Sequence, residues 1–207
     1  SSCMNADFRI ITDADTEYLA APGEYNRFGN RVYINEHHQR AEDITPTKAQ
    51  DDEYRVLILG DSVTHGGSLT DQADVASTLL EPMLERGLDR PARVMNASAG
   101  SWGVPNILAY VQRFGAFEAD VAVVVLNTED IDDLPSGGGP PGPTSKPALA
   151  LMEGATRYLP RYMPGGTEEA ATPNDASGAF DEQAAQEVER AIADLARALR
   201  DRGVPRL

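Results

Sequence analysis

Three stretches of this chain end an apolar run with residues that can do chemistry. The first is Tyr54 to Gly67, YRVLILGDSVTHGG, where the run Val56-Leu57-Ile58-Leu59 breaks at Gly60 and delivers Asp61 and Ser62. A buried strand that stops at a glycine and presents a hydroxyl at the start of a helix is how an α/β protein displays a serine nucleophile. The glycine permits a sharp turn. The helix expected beyond it offers free N–H groups and a positive dipole end, which suit a developing oxyanion. The second stretch runs into Asn96-Ala97-Ser98-Ala99-Gly100, and the third into Asn127-Thr128-Glu129-Asp130. A serine alcohol is a poor nucleophile until a base removes its proton. His65 stands one helical turn beyond Ser62, but its ring is expected along the helix surface, with no obvious acid nearby to orient it.

Other chemistries are poorly supplied. Gly60 lacks the G-x-G-x-x-G pattern and a P-loop lysine, which argues against nucleotide binding. No two candidate metal ligands sit at helical or hairpin spacing. His37 and His38 are adjacent, so on a strand they would face opposite ways; a solvated loop pair is expected. Asp130, Asp132 and Asp133 read as a solvated loop, not a calcium site. No cofactor is expected.

The elements that must position these residues follow from periodicity. Val56 to Leu59 is unbroken apolar sequence, the mark of a strand buried on both faces. Residues 72 to 87 predict a helix with Val75, Leu79, Leu80, Met83 and Leu84 inward, Pro82 as a possible kink and Gly87 at its end. Ala92 to Asn96 predicts a second strand, Pro105 to Gly115 a helix with Ile107, Leu108, Val111 and Phe114 inward, and Val121 to Leu126 a third strand. Residues 181 to 202 give the clearest helix, with the stripe Ala184, Val188, Ile192, Leu195 and Leu199. Strands alternating with helices imply an α/β fold, a three-layer, flavodoxin-like, doubly wound parallel sheet. Ligands bind such sheets at the carboxyl ends of the strands, so Ser62, Gly100 and Asn127/Glu129 should converge. Residues 1–53 read as an N-terminal arm with one short strand near Arg31–Asn35, and residues 54–134 as the core. The Pro/Gly-rich residues 135–178 read as an insertion or lid; Leu149 to Met152 could add one helical turn, and Tyr158, Arg161 and Tyr162 either sugar contacts or packing. Residues 179–207 read as the last helix and the start of another strand, Val204-Pro205-Arg206-Leu207.

Composition sets outer limits. The 207 residues suffice for one domain, or one domain with an arm. A net charge of −15 argues against nucleic acid or an anionic membrane as partner. No apolar run approaches the ~18 residues that would cross a bilayer. Cys3 is the only cysteine, which excludes an intrachain disulfide. Ser1-Ser2-Cys3 reads either as the remnant of a bacterial lipoprotein signal with Cys3 lipidated, or as an arbitrary boundary; a secreted or periplasmic location is expected.

Together these blocks resemble the SGNH (GDSL) hydrolases. Gly60-Asp61-Ser62, Asn96-Ala97-Ser98-Ala99-Gly100 and Leu126-Asn127-Thr128-Glu129-Asp130 are similar to the family's first three blocks, and Asn26-Arg27-Phe28-Gly29-Asn30-Arg31 looks like the leader of members found with bacterial exopolysaccharide systems. The resemblance covers roughly residues 24 to 134. It implies ester hydrolysis with Ser62 as nucleophile. The oxyanion donors it implies are the Ser62 N–H, a backbone N–H at Gly100 or Ser101, and an asparagine side chain from the third block. There the chain departs: Glu129 stands where the family's Gly-x-Asn-Asp pattern has its asparagine. An ionised carboxylate only accepts hydrogen bonds, so Asn127 or a backbone group is expected to substitute. The family's base is the histidine of an Asp-x-x-His, and the histidines here, 37, 38 and 65, follow Ile34, Asn35 and Ser62 at that spacing. The last strand and catalytic loop are therefore expected beyond Leu207. Asp61, His65 and Glu129 remain secondary candidates. The expected activity is serine esterase, removing acetyl groups from carbohydrate, with a small acyl ester or an acetylated polysaccharide as substrate. Polysaccharide O-acetyltransfer and a non-catalytic carbohydrate-binding or assembly module are the alternatives.

Overall fold

Two antiparallel hairpins precede the sheet that carries Ser62: β1 (Ile10–Asp13) with β2 (Glu17–Ala20), and β3 (Gly23–Arg27) with β4 (Asn30–Ile34). The computed structural model describes residues 10–131, 134–135 and 182–206. Expectations for Cys3, Asp132, Asp133, most of the 135–178 stretch (with Leu149 to Met152, Tyr158, Arg161 and Tyr162) and Leu207 lie outside the described residues. The remaining elements are β5 (Tyr54–Gly60), α1 (Ser62–His65), a 3₁₀ turn at Gln72–Asp74, α2 (Ala76–Leu88), β6 (Ala92–Ser98), α3 (Val104–Phe114), β7 (Val121–Val124), a 3₁₀ turn at Thr128–Ile131, and α4 (Glu182–Asp201).

Four strands in two hairpins stand where the sequence predicts an arm with one short strand. Residues Phe28 and Gly29 join β3 to β4 with positive φ at both positions, +53° and +87°, the two-residue turn whose twist matches a hairpin. All four residues of β2 are buried, so no polar–apolar alternation betrays it. Two buried arginines tie the following loop to the sheet. Arg55 of β5 donates to the carbonyls of Thr45, Thr47 and Phe117 and pairs with buried Glu53. Arg40 is described below.

Nor are His37 and His38 a solvated pair. The His37 Nε2 lies 3.1 Å from the Ile44 carbonyl and its ring packs on Phe117 at 4.9 Å. The His38 Nδ1 lies 2.8 Å from the Ala20 carbonyl and its ring meets Phe114 edge-on.

Strands β5, β6 and β7 form a parallel sheet in the order β6-β5-β7, with Val56 opposite both Val94 and Val121. Alternate side chains face opposite sides. Leu57, Leu59, Met95, Ala97 and Ala122 join one core with Ile107, Tyr110 and Val111 of α3 and Val188, Leu195 and Leu199 of α4. On the other side Asn96 reaches Ser77 of α2. The result is helix, sheet, helix. The chain leaves β5 for β6 on one side and later crosses to β7 on the other, so its direction of winding reverses at β5.

Details of the helices differ from their periodicity. Leu79 and Met83 of α2 are half exposed, at 50% and 58%, because α2 covers only the edge strand β6. Pro82 lies inside α2 without ending it, and the helix runs one residue past Gly87, to Leu88, with Asp89 left-handed at φ +52°. In α4 the buried position is Ala191, and Ile192 is exposed. Strand β7 stops at Val124, although the Val125 N–H still reaches the Leu59 carbonyl. On its outer side the Ala122 N–H donates to the Arg206 carbonyl, so the segment after α4 runs beside β7. Among the described residues no helix is long and apolar enough to cross a membrane.

Candidate active site

Ser62 occupies the first position of α1 and is exposed. Three local features put it there. A Cβ at Gly60 would lie 2.2 Å from the Thr64 Oγ1 and 3.2 Å from the Val125 carbonyl, so only glycine lets the first turn of α1 fold back on the strand end. Asp61 is the extended N-cap residue, and its Oδ1 accepts from the Val63 N–H at 2.9 Å, which satisfies an orphan donor of the helix start. Asn96 of β6 holds the turn from behind: its Nδ2 donates to the Thr64 carbonyl at 3.0 Å and to the Ser77 Oγ at 3.3 Å, while Ser98 donates to its Oδ1. The helix is a single turn ending in left-handed Gly66. The strong dipole expected at Ser62 is therefore reduced to free N–H groups, because a macrodipole needs several aligned turns.

The tip after β7 is fastened to the same place. Asn127 Nδ2 donates to Asp61 Oδ2 at 2.6 Å, and the Asn127 N–H donates to Asp130 Oδ2 at 2.6 Å. Asp61 and Asp130 are both buried. The amide of Asn127 thus spends one of its two hydrogens on Asp61. Glu129 lies in the 3₁₀ turn Thr128–Ile131; its side chain is outside the described residues.

The tip after β6 reaches Ser62 through Gly100. A Cβ placed on Gly100 would lie 3.9 Å from the Ser62 Cβ and 3.3 Å from the Tyr18 Oη. The Tyr18 hydroxyl donates to the Gly100 carbonyl in a short hydrogen bond. Ser101 is the residue with left-handed backbone, φ +60°; Gly100 is not, so its lack of a side chain answers to close approach, not to φ. Trp102, almost wholly buried, donates its Nε1–H to the Tyr18 carbonyl at 3.2 Å. Asn106 accepts from the Gly103 N–H with its Oδ1 at 3.0 Å and closes the turn into α3.

The loop beyond α1 hangs on Arg40, whose side chain is fully buried. Its Nη1 donates to the carbonyls of His65 and Gly67, its Nη2 to that of Thr70, and its Nε to Gln72 Oε1. Burial pushes its pKa down to about 10, against the pull of nearby Asp71, so the guanidinium stays charged at neutral pH.

His65 is a poor base for Ser62. Burial, with Arg40 and then Arg27 adding to it, pushes its pKa down to about 4. A general base works best with a pKa near the working pH, and an imidazolium formed here would face two guanidinium charges. Among the described residues the Ser62 hydroxyl has no hydrogen-bond partner, and no group of three or more His, Cys, Asp or Glu side chains is placed to hold a metal.

The structure thus brings Ser62, Asp61, Gly100 and Asn127 together at the carboxyl ends of three strands, with Ser101 next to Gly100. Asn96, the first residue of the second block, supports the site from behind α1, and so do Tyr18 and Arg40, which no local pattern in the sequence marks. A cleft of about 420 Å³ between α3 and α4, lined by Pro105, Leu108, Leu134, Glu187, Arg190 and Asp194 among others, does not include Ser62. Such a site offers an exposed hydroxyl at the start of a helical turn and close to Gly100, an arrangement suited to attack on an acyl carbon. No family model, no curated protein and no solved structure matches this chain.

Proposed function

We propose that this chain is an SGNH-type serine esterase that removes small acyl groups, acetyl above all, from carbohydrate. One observation carries the reading: the tips that follow three parallel strands meet at one exposed hydroxyl, Ser62, with Gly100 and the Asp61–Asn127 pair on either side. The order β6-β5-β7, in which the chain reverses its winding at β5, supports a doubly wound parallel sheet, where ligands bind at such a reversal. In the proposed step Ser62 Oγ bonds to the acyl carbon while its proton passes to a general base, the π pair of the carbonyl moves onto its oxygen, and the base later returns the proton to the leaving alcohol. The N–H groups of Ser62 and of Gly100 or Ser101 are the donors for that oxygen. The alcohol of the sugar then leaves with a proton, and water releases the acyl group.

The reading requires a proton acceptor for Ser62. His37 and His38 are bound to carbonyls, and His65 resists protonation, so none of the three histidines fits that role. Hydrolysis of p-nitrophenyl acetate and of acetylated xylo- or manno-oligosaccharides is expected, with Ser62→Ala reducing turnover by at least about 10³-fold. Equal rates for the two proteins would end the proposal. That Ser62 has no hydrogen-bond partner among the described residues favours a second reading, a module that binds acetylated carbohydrate without turning it over. Calorimetric binding that survives Ser62→Ala, with no ester cleavage by either protein, would select it.

A further inference from the structure

The first hairpin reaches the Ser62 site through one phenol. Tyr18 lies on β2, is 6% exposed, and touches the loop after β6 twice. Its hydroxyl donates to the Gly100 carbonyl, and its own carbonyl accepts from Trp102 Nε1. These two bonds bracket Gly100 and Ser101, the residues that carry the candidate backbone donors. In a planar trans peptide the C=O and the N–H point in opposite directions. A hydroxyl that fixes the Gly100 carbonyl therefore also fixes the direction of the Ser101 N–H, on the face away from Tyr18. Ser101 holds a left-handed backbone at φ +60°, a conformation that costs a non-glycine residue energy and persists where its surroundings impose it. The Ser62 Cβ lies 3.9 Å from the point where a Gly100 Cβ would be. Burial pushes the Tyr18 phenol well above its ordinary range, so it remains a donor throughout the pH range of any ester assay.

We propose that Tyr18 is a positioning residue for this site: its hydroxyl, by holding the Gly100 carbonyl, sets the Ser101 N–H as an oxyanion donor. The role rests on the esterase reading. It predicts that the hydroxyl acts on the transition state and hardly on substrate binding, because the donor meets negative charge only after Ser62 Oγ has bonded to the acyl carbon.

The test uses Tyr18→Phe in the full-length chain, which keeps the buried ring and removes only the donor. On p-nitrophenyl acetate kcat should fall roughly 10- to 100-fold with KM within about two-fold, the signature of a lost oxyanion interaction. A second readout separates positioning from general loosening. The preference for an ester over its thionoester, whose sulfur accepts hydrogen bonds poorly, should shrink along with kcat. Unchanged kcat and an unchanged ester-to-thionoester ratio in Tyr18→Phe, against a wild type whose activity Ser62→Ala removes, would overturn this role and leave the esterase reading standing. A wild type without Ser62-dependent turnover would overturn both.

Discussion

At the scale of single residues, two glycines near Ser62 are needed for space. Gly60 makes room for Thr64, and Gly100 keeps a gap between the Tyr18 hydroxyl and Ser62. Gly100→Ala should fold, since its backbone is not left-handed. Its methyl, 3.3 Å from the Tyr18 Oη, must push the phenol or the loop by a few tenths of an ångström. We expect kcat to fall about ten-fold, the order of cost of a displaced donor, and the Gly100→Ala, Tyr18→Phe double variant to be little slower than Tyr18→Phe alone, because both changes act through the same hydroxyl. A steady-state double-mutant cycle reads this coupling. Asp61→Ala removes the cap of α1 and leaves the Asn127 amide without its carboxylate. A loss of about 2 kcal/mol in urea unfolding is expected, the sum of a lost cap and an unmade hydrogen bond. Ser62 and Asp61 could be picked out from their place after an apolar run. Tyr18 could not, because its partner Gly100 lies 82 residues away and no local pattern records such a bond.

At the scale of elements, the parallel strands and the longer helices follow from periodicity, and the hairpins and the loop after α1 do not. An isolated two-stranded hairpin is marginal in water; β1–β2 is held by Tyr18 together with the Arg113–Asp13 pair, Asn106 on Glu17 and His38 on the Ala20 carbonyl, and β3–β4 lies against the 68–72 loop. Asn30 Nδ2 donates to the Ser68 carbonyl at 3.2 Å, and the Arg31 N–H donates to Asp71 Oδ2 at 2.7 Å. Arg40 is the pin of that loop. Arg40→Leu would leave the carbonyls of His65, Gly67 and Thr70 without this donor, while the Gln72 Oε1 keeps the Tyr33 N–H. Each buried acceptor left unmade costs about 1–3 kcal/mol, so a loss above about 3 kcal/mol is expected. Amide exchange should accelerate first between Gly66 and Gln72. On α4, Leu195 is buried in the core that α4 shares with α3 and the sheet, and Leu195→Ala should cost about 2–5 kcal/mol in chemical denaturation. Ile192→Ala, at an exposed position of the same helix, should cost well under 1 kcal/mol. The contrast checks which residue of the stripe faces inward.

At the scale of the whole molecule, the net charge of the chain and the charge gathered around His65 differ in sign. The chain carries a net −15, yet the loop behind Ser62 is organised by Arg40 with Arg27 close by, and these cations, after burial, hold His65 neutral. The consequence for stability follows from linkage. Above pH 6.5 the His65 ring is neutral in both the folded and unfolded chain. As pH falls from about 6.5 to about 4 the unfolded chain takes up a proton that the folded chain refuses, so stability drops; below about 4 this group contributes no further loss. The drop due to His65 is at most about 3 kcal/mol, at 1.36 kcal/mol per pH unit over that window. Urea titrations at pH 7, 5.5 and 4.5 should show falling stability, and His65→Gln should flatten that slope while keeping the backbone bond from Arg40.

The sequence by itself determined what is local. It set the apolar strand before Ser62, the glycine that turns it, the alternation of strands and helices, and the long amphipathic α4. Each of these is written in the spacing of side chains a few residues apart. Tertiary structure alone decided which residues meet across the chain: Tyr18 on Gly100, Asn127 on Asp61, Arg40 through the loop after α1, and Arg55 through the loop before β5. It also decided which of two neighbouring residues in a helix faces the core, and that two histidines expected in solvent are packed on phenylalanines. Such pairings depend on closing long loops and desolvating polar groups together. Their free energy exists only once the whole fold has formed, and so leaves no period for a reader of the sequence to find.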